Sequence, residues 1–449
     1  MHRILPTLIL SLSIALFVNA QEPEGPLADT AEIFAKEFVS MLAKGEFLSA
    51  TKTFDATMEK ALSSDQLQQL WTTLISQVGQ YQRQIATRKQ IIPLYEIVLV
   101  TCEFERAALD VKVVLDTAGK VAGLFFLPAQ PSEQYTPPEY ARPDSFTEEE
   151  VSVGTGKWSL PGTLTLPRSQ GPLPAVILVH GSGPQDRDET IGPNKPFCDL
   201  AWGLASKGIA VLRYEKRTKQ HASLLVELKD EITVEEETIE DALAAVTLLQ
   251  NRPEIDKARI FVLGHSLGGM LMPRIGLRNK HIAGLIILAG TSRPLEDVIY
   301  EQYHYIFSLD NQLDEVEQEQ LKQLKAQVQL IKSTELTKDT PSAMLLGGPA
   351  SYWLALRDYD PVAEAAKLTI PILILQGERD YQVTLVDFNR WRDALTANDN
   401  VQLKVYPTLN HLFIPGEGRI VPSEYEKMGH IHETVISDIT DWIQKGQIE

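Results

Sequence analysis

The sequence predicts an α/β chain in two folded parts: a small α+β domain, then a larger α/β domain built on a doubly wound, mostly parallel sheet. Three observations carry this. From about residue 149, near-continuous apolar runs of strand length alternate with helical patterns, the rhythm of a parallel sheet covered on both faces. Ahead of it, two amphipathic helical stretches precede several strand-like runs, the order of an α+β unit. Between them, residues 128–148 hold Pro128, Pro131, Pro137, Pro138 and Pro143 with few aliphatics, which reads as an extended linker. The length of 449 residues suits such a division.

In residues 21–127, Ile33, Phe34, Phe38, Met41 and Leu42 repeat at helical spacing over 29–45, with Gly45 as a stop. A second helix runs from about Asp65 with Leu67, Leu70, Trp71, Leu74, Ile75 and Val78 on one face. Residues 81–127 then read as strands, with Thr117-Ala118-Gly119 turning a hairpin. No catalytic constellation is visible in this domain.

In residues 149–449, EEVSVGT and WSLPGTLTLP lead to the buried strand AVILVHGSG. A helix near 197–207, the strand GIAVLRYE, a helix from Glu235 to Gln250, the strand RIFVLGHS and a helix from Leu267 follow, then the strand AGLIILAG. The alternation stops over about 293–368, a helical stretch rich in Gln, Glu and Leu, and resumes with PILILQGERD, a helix, VQLKVYP and a last helix from about His430. An insertion at that point of an open sheet lies over the carboxyl ends of the strands, where ligands bind, and is expected to form a cap.

Residues 1–20 read as a secretory signal. His2 and Arg3 give a basic start, Leu8 to Val18 is apolar, and Val18-Asn19-Ala20 offers small residues for cleavage. The apolar core is too short for a comfortable membrane span, and no later segment spans one. A periplasmic or secreted protein is expected. The formal net charge of −18 argues against nucleic acid as a partner, because phosphate binding needs clustered Lys and Arg. It says little about a neutral small substrate and leaves room for a homodimer. Cys102 and Cys198 fall in different expected domains and read as two buried free thiols.

The chemistry concentrates at FVLGHSLGG, residues 261–269. Gly264-His265-Ser266-Leu267-Gly268 fits G-x-S-x-G between an apolar strand and an amphipathic helix. In such an elbow the serine occupies a strained turn that projects its Oγ above the sheet. A Cβ at either flanking glycine would meet backbone as the helix folds back on its strand.

A serine hydroxyl needs a base, and the base an orienting acid. Among nine histidines, His411 follows VQLKVYP and emerges at the sheet edge that carries Ser266. His430 and His432 are expected in the last helix, His180 braces its loop, and His265 lies in the elbow pointing away from Ser266. Asp380 leaves the strand end of ILILQGERD, with Glu378 as the local rival and Asp360 and Asp387 more remote. The order Ser266, Asp380, His411 is that of a triad built on an α/β-hydrolase sheet. Oxyanion donors are expected from the N–H of Leu267, at the start of its helix, and of Ser182, with Gly183 the alternative. Asp186-Arg187-Asp188 reads as a salt-bridged loop in preference to a substrate floor.

On these residues, the stretch from about 149 to 449 resembles the α/β-hydrolase superfamily, specifically bacterial exported serine esterases. HGSGPQDRDE, GHSLGG, GERD and the NH of TLNH carry the resemblance. The leading part looks like an uncharacterised α+β module found ahead of such hydrolases. The resemblance implies a carboxylic-ester hydrolase using Ser266, Asp380 and His411 through an acyl-enzyme. Such a reaction needs no metal or organic cofactor and takes a small-molecule or polymer-linked ester. The resemblance does not choose the substrate; short or aromatic acyl groups are expected because no long apolar lid segment is obvious in the sequence. Two other functions compete. Prolyl-oligopeptidase-like peptidases share the triad but usually carry a large propeller, which this leading part is too short to form. Non-catalytic proteins on the same scaffold commonly lose a triad member, and here all three candidates remain.

Overall fold

A computed structural model describes residues 30–92, 95–129, 135–169, 171–222, 224–225 and 231–448. The expected leader, residues 1–20, lies outside the described residues, as do linker residues 130–134. The chain divides into two compact units between Ser132 and Glu133.

The first unit contains α1 (Thr30–Lys44), α2 (Phe47–Thr51), α3 (Ala56–Ala61) and α4 (Ser64–Val78). An antiparallel sheet follows in the order β1 (Tyr81–Ile92), β2 (Tyr95–Phe104), β3 (Ala108–Asp116) and β4 (Val121–Pro128). One face of each element is apolar, so Phe38, Leu42, Leu67, Trp71, Val98, Val100, Val111 and Val113 close a single core. Asp116 Oδ1 accepts the N–H groups of Ala118 and Lys120, and Gly119 sits at φ 71°, which builds the expected hairpin turn. Two short helices, α2 and α3, were not anticipated, because five or six residues show no period. Asp55 starts α3 by accepting from Thr57 and Met58. β1 is largely polar because it is an edge strand with one neighbour.

The second unit is an eight-stranded sheet in the order β12-β11-β10-β9-β7-β8-β6-β5. Its strands are β5 (Phe146–Val153), β6 (Leu160–Pro167), β7 (Leu173–Val179), β8 (Ala210–Tyr214), β9 (Ile255–His265), β10 (Gly284–Leu288), β11 (Ile372–Gly377) and β12 (Val401–Tyr406). β5 and β6 pair antiparallel at one edge, and β6 joins β8 antiparallel. All other pairs are parallel. The α-helices of five or more residues among the described residues are α5 (Pro196–Ala205), α6 (Glu240–Gln250), α7 (Leu267–Arg278), α8 (Leu295–Phe307), α9 (Glu315–Lys332), α10 (Ala350–Leu356), α11 (Pro361–Ala365), α12 (Leu385–Leu395) and α13 (Glu433–Lys445).

Alternation in the central strands decides which helix covers which face. Val176, Leu178, Phe261, Leu263, Ile286, Leu288, Leu373 and Leu375 pack with Phe197, Leu200 and Leu204 of α5 and with Val435, Ile439 and Trp442 of α13. On the other face, Leu285 meets Gly276 of α7. Because both faces are covered, the central strands are mostly apolar, and β7, β8, β10 and β11 are buried at every residue, Arg213 and Gln376 included.

Two boundaries differ from expectation. A five-residue π-helical segment, Glu235–Ile239, precedes α6. The last helix begins at Glu433, so His430 lies outside it and His432 is its N-cap, its ring accepting from Thr434 N–H. The fixed φ/ψ break at a capping residue is invisible to a periodicity count.

The insertion forms α8 to α11 and packs on loops beyond the strand ends. Gln302 donates to Gln382 O at 2.9 Å, and the Tyr305 ring stacks on Tyr381 at 5.0 Å between centroids. Tyr305 also donates to Ile420 O at 2.9 Å, while Tyr359 donates to Met270 O at 2.6 Å. Cys102 in β2 and Cys198 in α5 are both buried free thiols. Among the described residues, no helix is long and apolar enough to cross a membrane.

Candidate active site

β9 lies between β7 and β10, near the middle of the sheet, and runs directly into α7. Ser266 at the junction has φ 54° and ψ −116°. A non-glycine residue there costs about 1–3 kcal/mol and persists only where its surroundings enforce it. Two bonds do so: Ser266 N–H donates to Leu288 O at 2.9 Å, and Met270 N–H donates to Ser266 O at 3.0 Å. Ser266 is partly exposed, while residues 261–265 and 267–273 around it are buried. The glycines behave as expected. A Cβ on Gly264 would collide with the Gly268 carbonyl, and one on Gly268 would collide with Val179 O and lie 2.7 Å from His180 O.

His411 sits in the turn after β12. Asn410 fixes that turn, its Oδ1 accepting from Leu412 N–H at 3.0 Å and Ile414 N–H at 3.1 Å, with Phe413 at φ 57°. His411 donates through Nδ1 to Asp380 Oδ2 at 2.6 Å, and both side chains are buried. The carboxylate is saturated. Its Oδ1 accepts from Gln382 N–H at 2.7 Å and Val383 N–H at 3.0 Å, and Oδ2 also accepts from Gln376 Nε2 at 3.1 Å. Acceptance from His411 Nδ1–H favours the tautomer in which Nε2 carries no proton. The rival acids are placed elsewhere. Glu378 is exposed; Asp360 caps α11 and pairs with Arg390 at 2.6 Å; Asp387 is enclosed by Thr291, Ser292 and Arg293.

The elbow and the His411 turn are tied together through His265. Its Nε2 donates to the backbone oxygen of His411 at 2.9 Å, and the two imidazole centroids lie 4.6 Å apart. The other ring nitrogen, Nδ1, lies 2.9 Å from Glu189 Oε2, an ionic approach without hydrogen-bond alignment. Burial pushes the Glu189 carboxyl up, but His265, His180 and the Gly181 N–H together outweigh it and hold the group below its ordinary range. Burial likewise pushes His265 down, but Glu189, the His411 carbonyl and the Asp380 charge together outweigh this, so His265 titrates above its ordinary value.

The loop after β7 faces the elbow. A Cβ on Gly181 would lie 3.1 Å from Ser266 Cβ. Gly181 N–H donates to Glu189 Oε1 at 2.7 Å, and Gly181 O accepts from Lys216 Nζ at 2.7 Å. His180 donates through Nε2 to Asp186 O at 2.9 Å and packs on Phe197 and Tyr214. Burial pushes its pKa down to about 4, so it stays neutral. Asp186-Arg187-Asp188 is a salt-bridged loop: Arg187 binds Glu150 at 2.7 Å and Glu215 at 2.9 Å, and Asp188 binds Lys195 at 3.0 Å and Arg213. Ser182 is buried beside it, and Leu267 N–H, in the first turn of α7, has no acceptor within its own helix.

Sequence reasoning assigned no part to Glu189, Lys216, Gln376 or Asn410. Glu189 closes the quoted HGSGPQDRDE stretch, and Asn410 is the N of TLNH, so both lay inside motifs whose individual side chains were left without roles.

The family described as "Serine aminopeptidase, S33" matches residues 172–417, more than half of the chain. The chain belongs to the α/β hydrolases. As an α/β hydrolase it is an enzyme of the hydrolase class, and its leading unit matches, over residues 35–124, a family described as a protein of unknown function, DUF3887. This α/β hydrolase is 44% identical to Esterase EstD of Thermotoga maritima over 411 residues, 91% of this chain and 94% of that protein. Among solved structures, a Pyrococcus furiosus esterase shares 17% identity at TM-score 0.42, over 71% of this chain and 100% of that one. Est1E from Butyrivibrio proteoclasticus shares 16% at TM-score 0.41, over 66% and 96%. Likenesses of that degree carry no argument about the reaction.

Proposed function

We propose that the protein is a serine carboxylic-ester hydrolase that works through an acyl-enzyme. Ser266 attacks the ester carbonyl, and His411 Nε2 takes its proton and returns it to the leaving alcohol. Asp380 holds the imidazole and stabilises its charged form. The N–H groups of Leu267 and Ser182 receive the oxyanion. Water, activated by His411, then attacks the acyl carbon, and Ser266 leaves with its proton restored.

One observation carries the reading most. The buried His411–Asp380 pair at 2.6 Å is anchored, through His265, to the residue that precedes a strained and partly exposed serine. A chain that needed only a fold would have no use for a saturated carboxylate, an oriented imidazole and a strained serine, each just beyond the carboxyl end of a strand of one sheet. The kinship with an esterase at 44% identity supports ester over amide as substrate.

A second reading, aminopeptidase action with the same triad, is favoured by the description of the matching family. Parallel assays on p-nitrophenyl esters and aminoacyl p-nitroanilides decide between them. The ester reading expects much faster ester turnover, and faster anilide turnover would reverse it. Labelling by a fluorophosphonate that disappears in Ser266→Ala is expected on both readings, and its persistence would remove Ser266 as nucleophile. Residues 1–20 fit an export signal, so mass spectrometry of protein recovered outside the cytoplasm is expected to find Gln21 as the first residue.

A further inference from the structure

The proposed chemistry uses two backbone donors, and one belongs to a loop that needs an outside hold. Loops on a protein surface commonly sample several peptide orientations, and a donor that must reorganise during reaction stabilises the transition state less. Here two buried charges grip this loop at Gly181. Glu189 is 1% exposed and Lys216 is 2% exposed. Glu189 accepts the N–H on one side of Gly181 at 2.7 Å, and Lys216 donates to the carbonyl on the other side at 2.7 Å. Lys216 is itself fixed by Glu237 Oε1 at 2.6 Å. Burying two charged side chains is costly unless their partners compensate, so their presence here calls for a role.

Peptide geometry supplies one. The bond between Gly181 and Ser182 is trans, so the carbonyl of Gly181 and the N–H of Ser182 lie in one plane and point in opposite directions within it. Fixing the carbonyl on Lys216 therefore fixes the N–H facing away from Lys216. The ammonium also polarises that peptide, which strengthens the N–H as a donor. Gly181 allows the close approach, because its missing side chain faces Ser266.

We propose that Lys216 and Glu189 are positioning residues for the oxyanion: they clamp the peptide groups on either side of Gly181 so that the Ser182 N–H faces the reacting carbonyl. This rests on the serine-hydrolase reading above. Neither side chain transfers a proton or touches substrate. Glu189 does a second job, since its other oxygen lies against His265, which holds the His411 backbone. The clamp thus sets the oxyanion loop and the His411 turn at a fixed separation.

The test uses the full chain, p-nitrophenyl butyrate, and a trifluoromethyl ketone that forms a tetrahedral adduct with the serine. Variants are Lys216→Met, Lys216→Met with Glu237→Gln, Glu189→Ala and Glu189→Gln. The double variant removes both members of the Lys216–Glu237 pair and so avoids a stranded buried charge. Turnover is expressed per site that labels with fluorophosphonate, which removes any contribution from misfolded protein. The expected result is a fall in kcat of about 10- to 100-fold in both Lys216 variants with KM within about threefold, because the interaction is made chiefly in the transition state. Affinity for the trifluoromethyl ketone falls by a similar factor. Glu189→Gln, whose amide oxygen still accepts the Gly181 N–H, recovers most of the kcat lost in Glu189→Ala. A kcat per labelled site within twofold of wild type in the double variant overturns the proposal while leaving the serine reading intact. Labelling that survives Ser266→Ala overturns both.

Discussion

His265 donates from Nε2 to the backbone oxygen of His411 at 2.9 Å, across 146 positions of sequence. Its Nδ1 approaches Glu189 at 2.9 Å, so one ring links three segments of the second unit: the elbow, the loop after β7 and the turn after β12. His265→Leu strands the buried Glu189 charge and frees the His411 carbonyl. Breaking a buried pair in this way is expected to cost about 3–5 kcal/mol. Urea denaturation followed by tryptophan fluorescence measures it. A loss under 1 kcal/mol would show that the link bears no strain.

The pH dependence of stability follows from three groups. Glu189 titrates below 4.5 in the fold, so its contribution is full above 4.5 and is lost as pH falls through the lowered value. His265 titrates above 6.5, so its contribution is full below 6.5 and is lost as pH rises through the raised value. His180 has the opposite sense to His265. Its pKa falls from 6.5 to about 4, so the unfolded chain binds the extra proton between those values and stability declines as pH drops from 6.5 to 4, by up to about 3 kcal/mol. His180→Gln is expected to flatten that acid limb and leave the alkaline limb unchanged in a melting-temperature series from pH 4 to 9. An unchanged acid slope would contradict the neutral, buried His180.

Asp380→Asn keeps a side chain of the same shape on Gln382 and Val383 but removes the negative charge facing His411. The amide can present a donor to Nδ1 and reverse the tautomer. In the proposed mechanism kcat then falls by about 10³- to 10⁴-fold with KM little changed. Steady-state kinetics on a p-nitrophenyl ester reads this out, and a loss of less than tenfold would dismiss Asp380 as the orienting acid.

Burial pushes the thiols of Cys102 and Cys198 up to about 12. The charge of Asp110 adds to this for Cys102, while Arg213 opposes it for Cys198. Thiolates carry the nucleophilicity, so both are expected to stay unmodified by iodoacetamide at pH 8 in the native protein and to react in 6 M guanidinium. Peptide mass spectrometry after a timed pulse reports each site separately. Rapid native labelling of either would contradict its burial.

Much of the second unit was legible because a sheet covered on both faces demands long apolar strands, and β7, β9, β10 and β11 stand out from the helical segments between them. Ser266 was legible because close helix–strand packing demands glycine at 264 and 268, a requirement written in single residues. The juxtaposition of Asp380 and His411 could be anticipated because each leaves the end of a neighbouring strand, β11 and β12. Glu189 and Lys216 were not. A charged residue in a loop reads as solvated, and only closure of the loop after β7 over β8 and the elbow buries both. α2 and α3 escaped recognition because a single turn has no periodicity to detect.

Among the described residues, the buried apolar cluster of the first unit runs from Ala31 to Val121, with Phe126 the last side chain packed against it. A segment with an apolar core of its own carries much of the information for its shape within itself. Over evolutionary time such a segment can be fused, dropped or swapped as a cassette, leaving the chemistry of the remainder untouched while changing where, or beside what, that chemistry is carried out.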